Sequence, residues 1–534
     1  MRGVEDAVLK GLIGKRQAGE LWANKLSVAY LDPIQSVITD GALSLIPEEI
    51  ARKAGVLPLY FLNNVLAFST SDPQNEELIR RLKFISGHEI SPIFGFPSEI
   101  KDALEIHYSS EEDVGTFIKR FQEQHKGVLE DLDELELEHL AESQLLANIF
   151  DSIMHFGIKE GASDIHLEPM ETKCRVRFLI DGRLREILSF NKSIHPAMAS
   201  RIKILCKLDF AGKRFPQDGR FEMPLGMLKA EFRVSFIPAS YGSKIVIRIL
   251  GSTGRKGAMT LDDMLVSSNV LKPWRRLIRN PNGIVFVTGP TGSGRTTTLY
   301  ASLQELNSPE VNISTIEDPI EISLDGLTQS QVNHSIDLGF PDLLRSLLRQ
   351  DPDIILVGEI RDLETAKIAT EAALTGHLVF ATLHTNNAVQ AATRLLEIGI
   401  EPYMVAPSIT AVLAQRLCAR LDDANKEAYQ PAEEVLSGIF ENLEGAEDLL
   451  LYRLTANVAG TPKTYKGRVA IHELVRVTDE IRTLISNGDS AEKLAIAAYK
   501  IGYRTLRFDA IKKALLGLTS IEEVERNTPQ EWRS

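Results

Sequence analysis

The chain has 534 residues, a hydrophobic fraction of 44%, a charged fraction of 25% and a formal net charge of −13. Its length exceeds what one hydrophobic core supports, so three or four domains are expected. The acidic balance argues against a nucleic-acid partner, which needs a basic footprint. No run of about 18 apolar residues marks a membrane span.

The start, "MRGVEDAVLKGLIGKRQAGEL", mixes charges throughout and lacks the apolar stretch of a secretory signal. Three cysteines, Cys174, Cys206 and Cys418, make no disulfide framework, which fits a reducing cytoplasm. Residues 1–108 alternate helical patterns with short apolar strands. In "LPLYFLNNVLAFS" the pair Asn63-Asn64 between two apolar runs predicts a hairpin in a small α/β module. The acidic stretch 109–143 reads as a solvated linker.

From Gln144 an amphipathic helix leads into "ASDIHLEP" and "CRVRFLIDGRLREI", whose alternation predicts half-buried strands. A helix around "MASRIKILCKLDF" and the strand runs "LKAEFRVSFIP" and "KIVIRIL" complete an α+β domain over 144–252. "GSTGRKGAM" is expected to be a flexible joint. Over 260–534, the apolar runs "GIVFVTG", "NISTIE", "DIILVGE" and "HLVFATLH" lie among helical patterns. They predict a parallel sheet covered on both faces.

"GIVFVTGPTGSGRTTTLYASLQEL" reads as strand, glycine loop and helix. Its candidate phosphate-binding residues are Gly289, Pro290, Thr291, Gly292, Ser293, Gly294, Arg295, Thr296 and Thr297. Backbone N–H groups and a helix N-terminus there point at an anion, glycines let the backbone curl, and Thr296 offers a hydroxyl to magnesium. The usual motif carries lysine where this chain has Arg295, a longer planar fork with the same charge. The expectation is that nucleotide binding persists on the backbone cradle while positioning for hydrolysis suffers. Three further strand ends bear polar groups: Glu317 and Asp318, Glu359, and His384, with His377 ahead of the same strand. A carboxylate beside a phosphate loop can hold magnesium through water or polarise an attacking water.

"GPTGSGRTTT", "TIEDPIE", "LLRQDPDIILVGEIRDLETA" and "ALTGHLVFATLHTNNA" resemble the Walker A, Asp, Walker B and His boxes of type II secretion and type IV pilus assembly ATPases. The resemblance continues through "GASDIHLEP", "FPQDGRF", "EFRVS", "IVIRIL", "AQRL" and "YKGRVAIHEL", covering about 145–520, and more loosely into the N-terminal region. It implies an α/β multidomain protein: a small α/β N-terminal domain, an α+β middle domain and a C-terminal RecA-like P-loop core with a parallel sheet. It implies ATP and magnesium as cofactors, with Thr296 and, through water, Glu359 on the metal. Glu359 would also support hydrolysis, Glu317 would orient water or metal, and His384 would contact the γ-phosphate region. Arg233 and Arg248 match family arginines that swing towards the γ-phosphate. A cytoplasmic homo-oligomer, a hexameric ring by analogy, would push on an inner-membrane platform protein, its N-terminal domain docking a membrane assembly protein.

An N-terminal extension favours an assembly or export motor over a retraction motor. Only "QAGELWANKL" stands where some relatives bind cyclic di-GMP, so that site is not expected. No zinc is expected either, because Asp422, Asn425, Asn457 and Gly460 stand where many members carry two C-x-x-C pairs. Arg295 leaves a second functional class open, a nucleotide-binding structural or regulatory subunit with weak catalysis.

Overall fold

The computed structural model describes residues 8, 13–34, 36, 38–62, 64–108, 111–125, 134–209, 215–225, 228–250, 259–264, 266–432, 435–436, 449–455 and 465–529. The chain divides into two compact units, Met1–Lys256 and Gly257–Ser534. The joint expected at 251–259 falls at this division, and all of it except Met259 lies outside the described residues.

In the first unit, β1 (Val56–Leu62), β2 (Val65–Thr70) and β3 (Glu89–Phe94) form a small sheet in that order. β1 and β2 are the expected hairpin, with Leu62 opposite Val65 and Asn64 at φ 64° in the turn. β3 runs parallel to β2. A second sheet holds β4 (Ala162–Pro169), β5 (Lys173–Ile180), β6 (Arg183–Asn191), β7 (Gln217–Leu225), β8 (Leu228–Ala239) and β9 (Gly242–Leu250). Its order is β6-β5-β4-β9-β8-β7, antiparallel throughout. The helix Gln144–Lys159 starts on Ser143, whose hydroxyl accepts from the Leu146 N–H, and buries Leu146, Ile149, Phe150, Ile153 and Met154 at helical spacing.

The solvated-linker expectation for 109–143 fails over two segments. Glu111–Gln124 is a helix whose Val114, Ile118 and Phe121 are buried, and it packs on the helix Gln144–Lys159. Glu134–Ala141 is a second helix, packed on the helix His195–Cys206. Glu123 and Glu136 are exposed, and a few apolar residues at helical spacing are enough to seat each helix.

The second unit is built on a seven-stranded sheet. Its strands are β10 (Gly283–Thr288), β11 (Ile313–Glu317), β12 (Thr328–Gln331), β13 (Ile354–Val357), β14 (Leu378–Leu383), β15 (Ile409–Leu421) and β18 (Tyr465–Arg476). The order is β12-β11-β13-β14-β10-β15-β18. All neighbours are parallel except β18, which runs antiparallel to β15 at one edge. β16 (Lys426–Tyr429) and β17 (Leu451–Leu454) form a separate hairpin. Every residue of β10, β11, β13 and β14 is buried, as a sheet covered on both faces requires. Along β10, Ile284 and Phe286 enter one apolar core while Val285 and Val287 enter the other. Among the described residues no helix is long and apolar enough to cross a membrane.

Where zinc ligands would stand, Asp422 and Asn425 share a turn after β15, the Asn425 amide donating to Asp422 Oδ2 at 2.9 Å. Asn457 and Gly460 lie outside the described residues.

The edge strand β18 carries a buried histidine, His472, neither of whose ring nitrogens has a hydrogen-bond partner among the described residues. It lines a cavity of about 200 Å³ together with Leu474, Tyr503 and Asp509. Burial, reinforced by the nearby Lys513 ammonium, pulls its pKa down to about 3. The unfolded chain therefore takes up a proton near pH 6.5 that the folded unit refuses until about pH 3. Stability attached to this group is complete above pH 6.5 and falls with pH through that window, by up to about 1.4 kcal/mol per pH unit. In His472→Gln the melting temperature should fall less steeply between pH 7 and pH 4.5 than in the parent, as read by calorimetry. Equal slopes in the two proteins would refute the assignment.

Candidate nucleotide site

The carboxyl ends of the parallel strands gather the candidate residues of the second unit. β10 ends at Thr288, the loop 289–294 follows, and the helix Arg295–Leu306 begins at once. Gly289, Gly292 and Gly294 all have positive φ (149°, 78° and 85°), so the loop's path requires glycine at these places. A Cβ on Gly289 would stand 2.6 Å from Ser293 Oγ. The cradle fits a phosphate: the loop is tightly curled at a helix N-terminus, and the buried hydroxyls of Ser293 and Thr288 have no partner among the described residues. Thr296 and Thr297 occupy the first turn of the helix, half-buried.

Arg295 folds back over the loop. Its Nη1 donates to the Gly289 carbonyl and lies 3.3 Å from His384 Nδ1. Burial lowers the guanidinium pKa; Glu359 opposes the shift, and Arg361 and Arg416 add to it. Since a guanidinium only donates, His384 Nδ1 accepts, and the ring proton sits on Nε2. That nitrogen is 3.6 Å from Glu359 Oε2. The same carboxylate oxygen takes an ion pair from Arg361 Nε at 2.8 Å. Arg295, His384 and Glu359 thus form one chain of contacts beside the phosphate loop.

Glu359 sits two residues past β13 because Gly358 lets β13 run close to β11. A Cβ at 358 would stand 3.0 Å from the Ile316 carbonyl and 3.3 Å from the Glu317 Cα. Glu317, the last residue of β11, is brought to the same edge but is only 3% exposed. Its carboxylate accepts from the hydroxyl of Tyr300, from Thr315 Oγ1 at 2.7 Å and from Gln329 Nε2 at 3.1 Å. Neither Tyr300 nor Gln329 is announced by the sequence. Tyr300 reads as a core aromatic, and β12, "TQSQ", has no apolar period. Asp318 bonds His334 Nε2 at 2.9 Å instead of joining Glu359.

His377 is not part of this edge. It immediately precedes β14 at the opposite end of the sheet, where its carbonyl accepts from the Gly283 N–H, a strand length of about 20 Å from the loop. Arg233 and Arg248 belong to the first unit, directly opposite each other on β8 and β9. Both are exposed, and Arg248 Nε donates to the buried Asp164 at 2.8 Å.

A glycine loop joining a buried parallel strand to a helix, with an acid past the end of a nearby parallel strand, defines a P-loop nucleotide-binding protein. Residues 139–526 match the family described as type II/IV secretion system protein, and residues 26–114 match the MshEN domain. The chain therefore belongs to the type II/IV secretion system protein family. Among its relatives, the type II secretion system ATPase E of Vibrio cholerae is 45% identical over 385 residues, 72% of this chain and 76% of that one. The type IV pilus assembly ATPase PilB of Myxococcus xanthus is 38% identical over 494 residues, 91% of this chain and 86% of that one. The ATPase DotB of Legionella pneumophila shares the fold, with a TM-score of 0.52 and 22% identity over 71% of this chain and 94% of that one.

Gly358→Ala should force β13 away from β11 and displace both acids. The expected outcome is a loss of about 1–3 kcal/mol in urea denaturation and at least a roughly tenfold fall in turnover. Unchanged stability and turnover would show that the strand approach tolerates a methyl group.

Proposed function

We propose that this chain is a magnesium-dependent, ATP-hydrolysing motor that powers type II secretion or the assembly of type IV pilus-like fibres. The single observation that carries the reading is the contact chain from Arg295 through His384 to Glu359 at the open end of the phosphate loop. A protein kept only for its fold has no need of a half-buried cation, a neutral imidazole and a carboxylate aligned there. The sequence relatives, ATPases by name across both systems, support the same reading.

The loop's N–H groups bind the phosphates, and Arg295 exchanges the Gly289 carbonyl for a phosphate oxygen when nucleotide enters. Thr296 would supply a hydroxyl to magnesium and Glu359 would hold it through water; the ion, when bound, would draw charge from the phosphate oxygens. Glu359 also orients the attacking water and takes its proton. His384, with its proton on Nε2, donates towards the γ-phosphate region. Glu317, which accepts three hydrogen bonds, acts by holding the loop helix against β11 and β12. Arg233 and Arg248 are assigned to the same reaction as charge-stabilising groups. Two like charges opposite each other on a sheet are otherwise unfavourable, and Asp164 offsets only one of them.

At the level of the whole molecule the proposal is a cytoplasmic, homo-oligomeric ring of six subunits. It is peripheral to the inner membrane through a platform protein and through a membrane assembly protein docked on the N-terminal domain. The domains are 1–108, 144–252 and 260–534.

Magnesium-dependent ATP hydrolysis and ATP binding, measured on the parent, Arg295→Lys and Glu359→Gln, test the motor. The parent is expected to turn over. Glu359→Gln should lose about 10²–10³-fold in kcat while still binding ATP. Binding without turnover in the parent, with activity restored by Arg295→Lys, would instead make the chain a regulatory subunit.

A further inference from the structure

Gln415, in the stretch "AQRL" on β15, has no part in the chemistry above, yet it is fully buried against the phosphate loop. Thr288 pairs with Ala414, so Gln415 lies beside the point where the chain leaves β10. Its Nε2 donates to the Ser293 carbonyl at 2.8 Å, and its Oε1 accepts from the Thr298 hydroxyl at 2.5 Å. One side chain from a neighbouring strand thus grips both the end of the loop and the first turn of the helix.

The same residue dictates the glycines. A Cβ at Gly289 would stand 2.5 Å from the Gln415 carbonyl, and one at Gly294 would stand 2.7 Å from its Nε2. The loop is therefore moulded on Gln415 before any phosphate enters.

The consequence lies in the peptide plane. In a trans peptide the C=O of residue 293 and the N–H of residue 294 point in opposite directions. Holding the Ser293 carbonyl against Gln415 turns the Gly294 N–H to the other side, into the cradle. We propose that Gln415 is a positioning residue that fixes the Ser293–Gly294 peptide so that its N–H faces the phosphate in advance. Without that bond the buried carbonyl is left unpaired, and the peptide, with glycine on its N–H side at 294, can rotate. A donor aligned beforehand costs no reorganisation when the anion binds. The inference rests on the reading of this loop as the nucleotide phosphate site.

Gln415→Met keeps length and volume but removes both hydrogen bonds. Gln415→Glu keeps an acceptor for Thr298 and sets a carboxylate against the Ser293 carbonyl. Thr298→Val leaves the bond to Ser293 intact. Titration calorimetry with magnesium and ADP, and separately with AMP, reads the effect, with melting temperature as the control. Gln415→Met and Gln415→Glu are each expected to weaken ADP tenfold or more, change AMP less than twofold and melt within a few degrees of the parent. Thr298→Val should weaken ADP by much less. ADP affinity unchanged in a folded Gln415 variant, or equal losses for ADP and AMP, would overturn the proposal. Should Gln415→Met fail to fold, Gln415→Glu and Thr298→Val give the same decision. A parent that binds no ADP would refute the nucleotide reading itself, whereas a binding parent with unaffected variants would refute only the role of Gln415.

Discussion

The nucleotide site depends on one buried carboxylate. Glu317 ends β11 almost without solvent, and a charge in that position is tolerable only when its lone pairs are filled. Tyr300 fills it from the loop helix, Thr315 from its own strand and Gln329 from β12. The acid thereby fixes the helix that carries the phosphate loop relative to the strands whose ends carry the chemistry. The close approach of Gly358 to the end of β11 carries Glu359 to the same edge. Arg295, His384 and Glu359 can meet only because these strand ends are locked in one register.

Arg295 is the feature by which this chain departs from the usual phosphate loop. The longer guanidinium finds partners within the chain itself, the Gly289 carbonyl and the His384 ring. A lysine ammonium is a compact point charge, whereas the planar fork can bridge two acceptors at once. The substitution therefore couples the loop to β14 and, through His384, to Glu359. Its positive charge is held among Arg361 and Arg416, with Glu359 and, more weakly, Glu321 as opposing carboxylates.

The first unit shows how weak a linker signal can be. The acidic run after residue 108 has the composition of solvated chain, yet Val114, Ile118 and Phe121 at helical spacing seat it against the helix Gln144–Lys159. Charge density reports what the outer face does; three apolar side chains decide where the segment goes. The apolar core in consequence runs continuously from Ile34 to Ile247, through both sheets of the unit.

The sequence alone determined β10, β13 and β14, whose residues are nearly all apolar because a buried parallel strand has no solvent-facing side; β11, Ile-Ser-Thr-Ile-Glu, is legible from its two isoleucines and its place among them. It also determined the glycine loop between β10 and the helix Arg295–Leu306, since glycines spaced between a strand and a helix leave the backbone few other paths, and it singled out as candidates Glu359 and His384, which the structure brings together. Only the tertiary structure decided which strand ends become neighbours. Sequence distance is blind to strand order, so His377, seven residues before His384, falls at the wrong end of the sheet, while Gln415, more than a hundred residues from Ser293, touches it. The polar strand β12 and the roles of Tyr300 and Gln415 were hidden for the same reason. A single buried hydrogen bond leaves no period in the sequence, and its partner is chosen by packing.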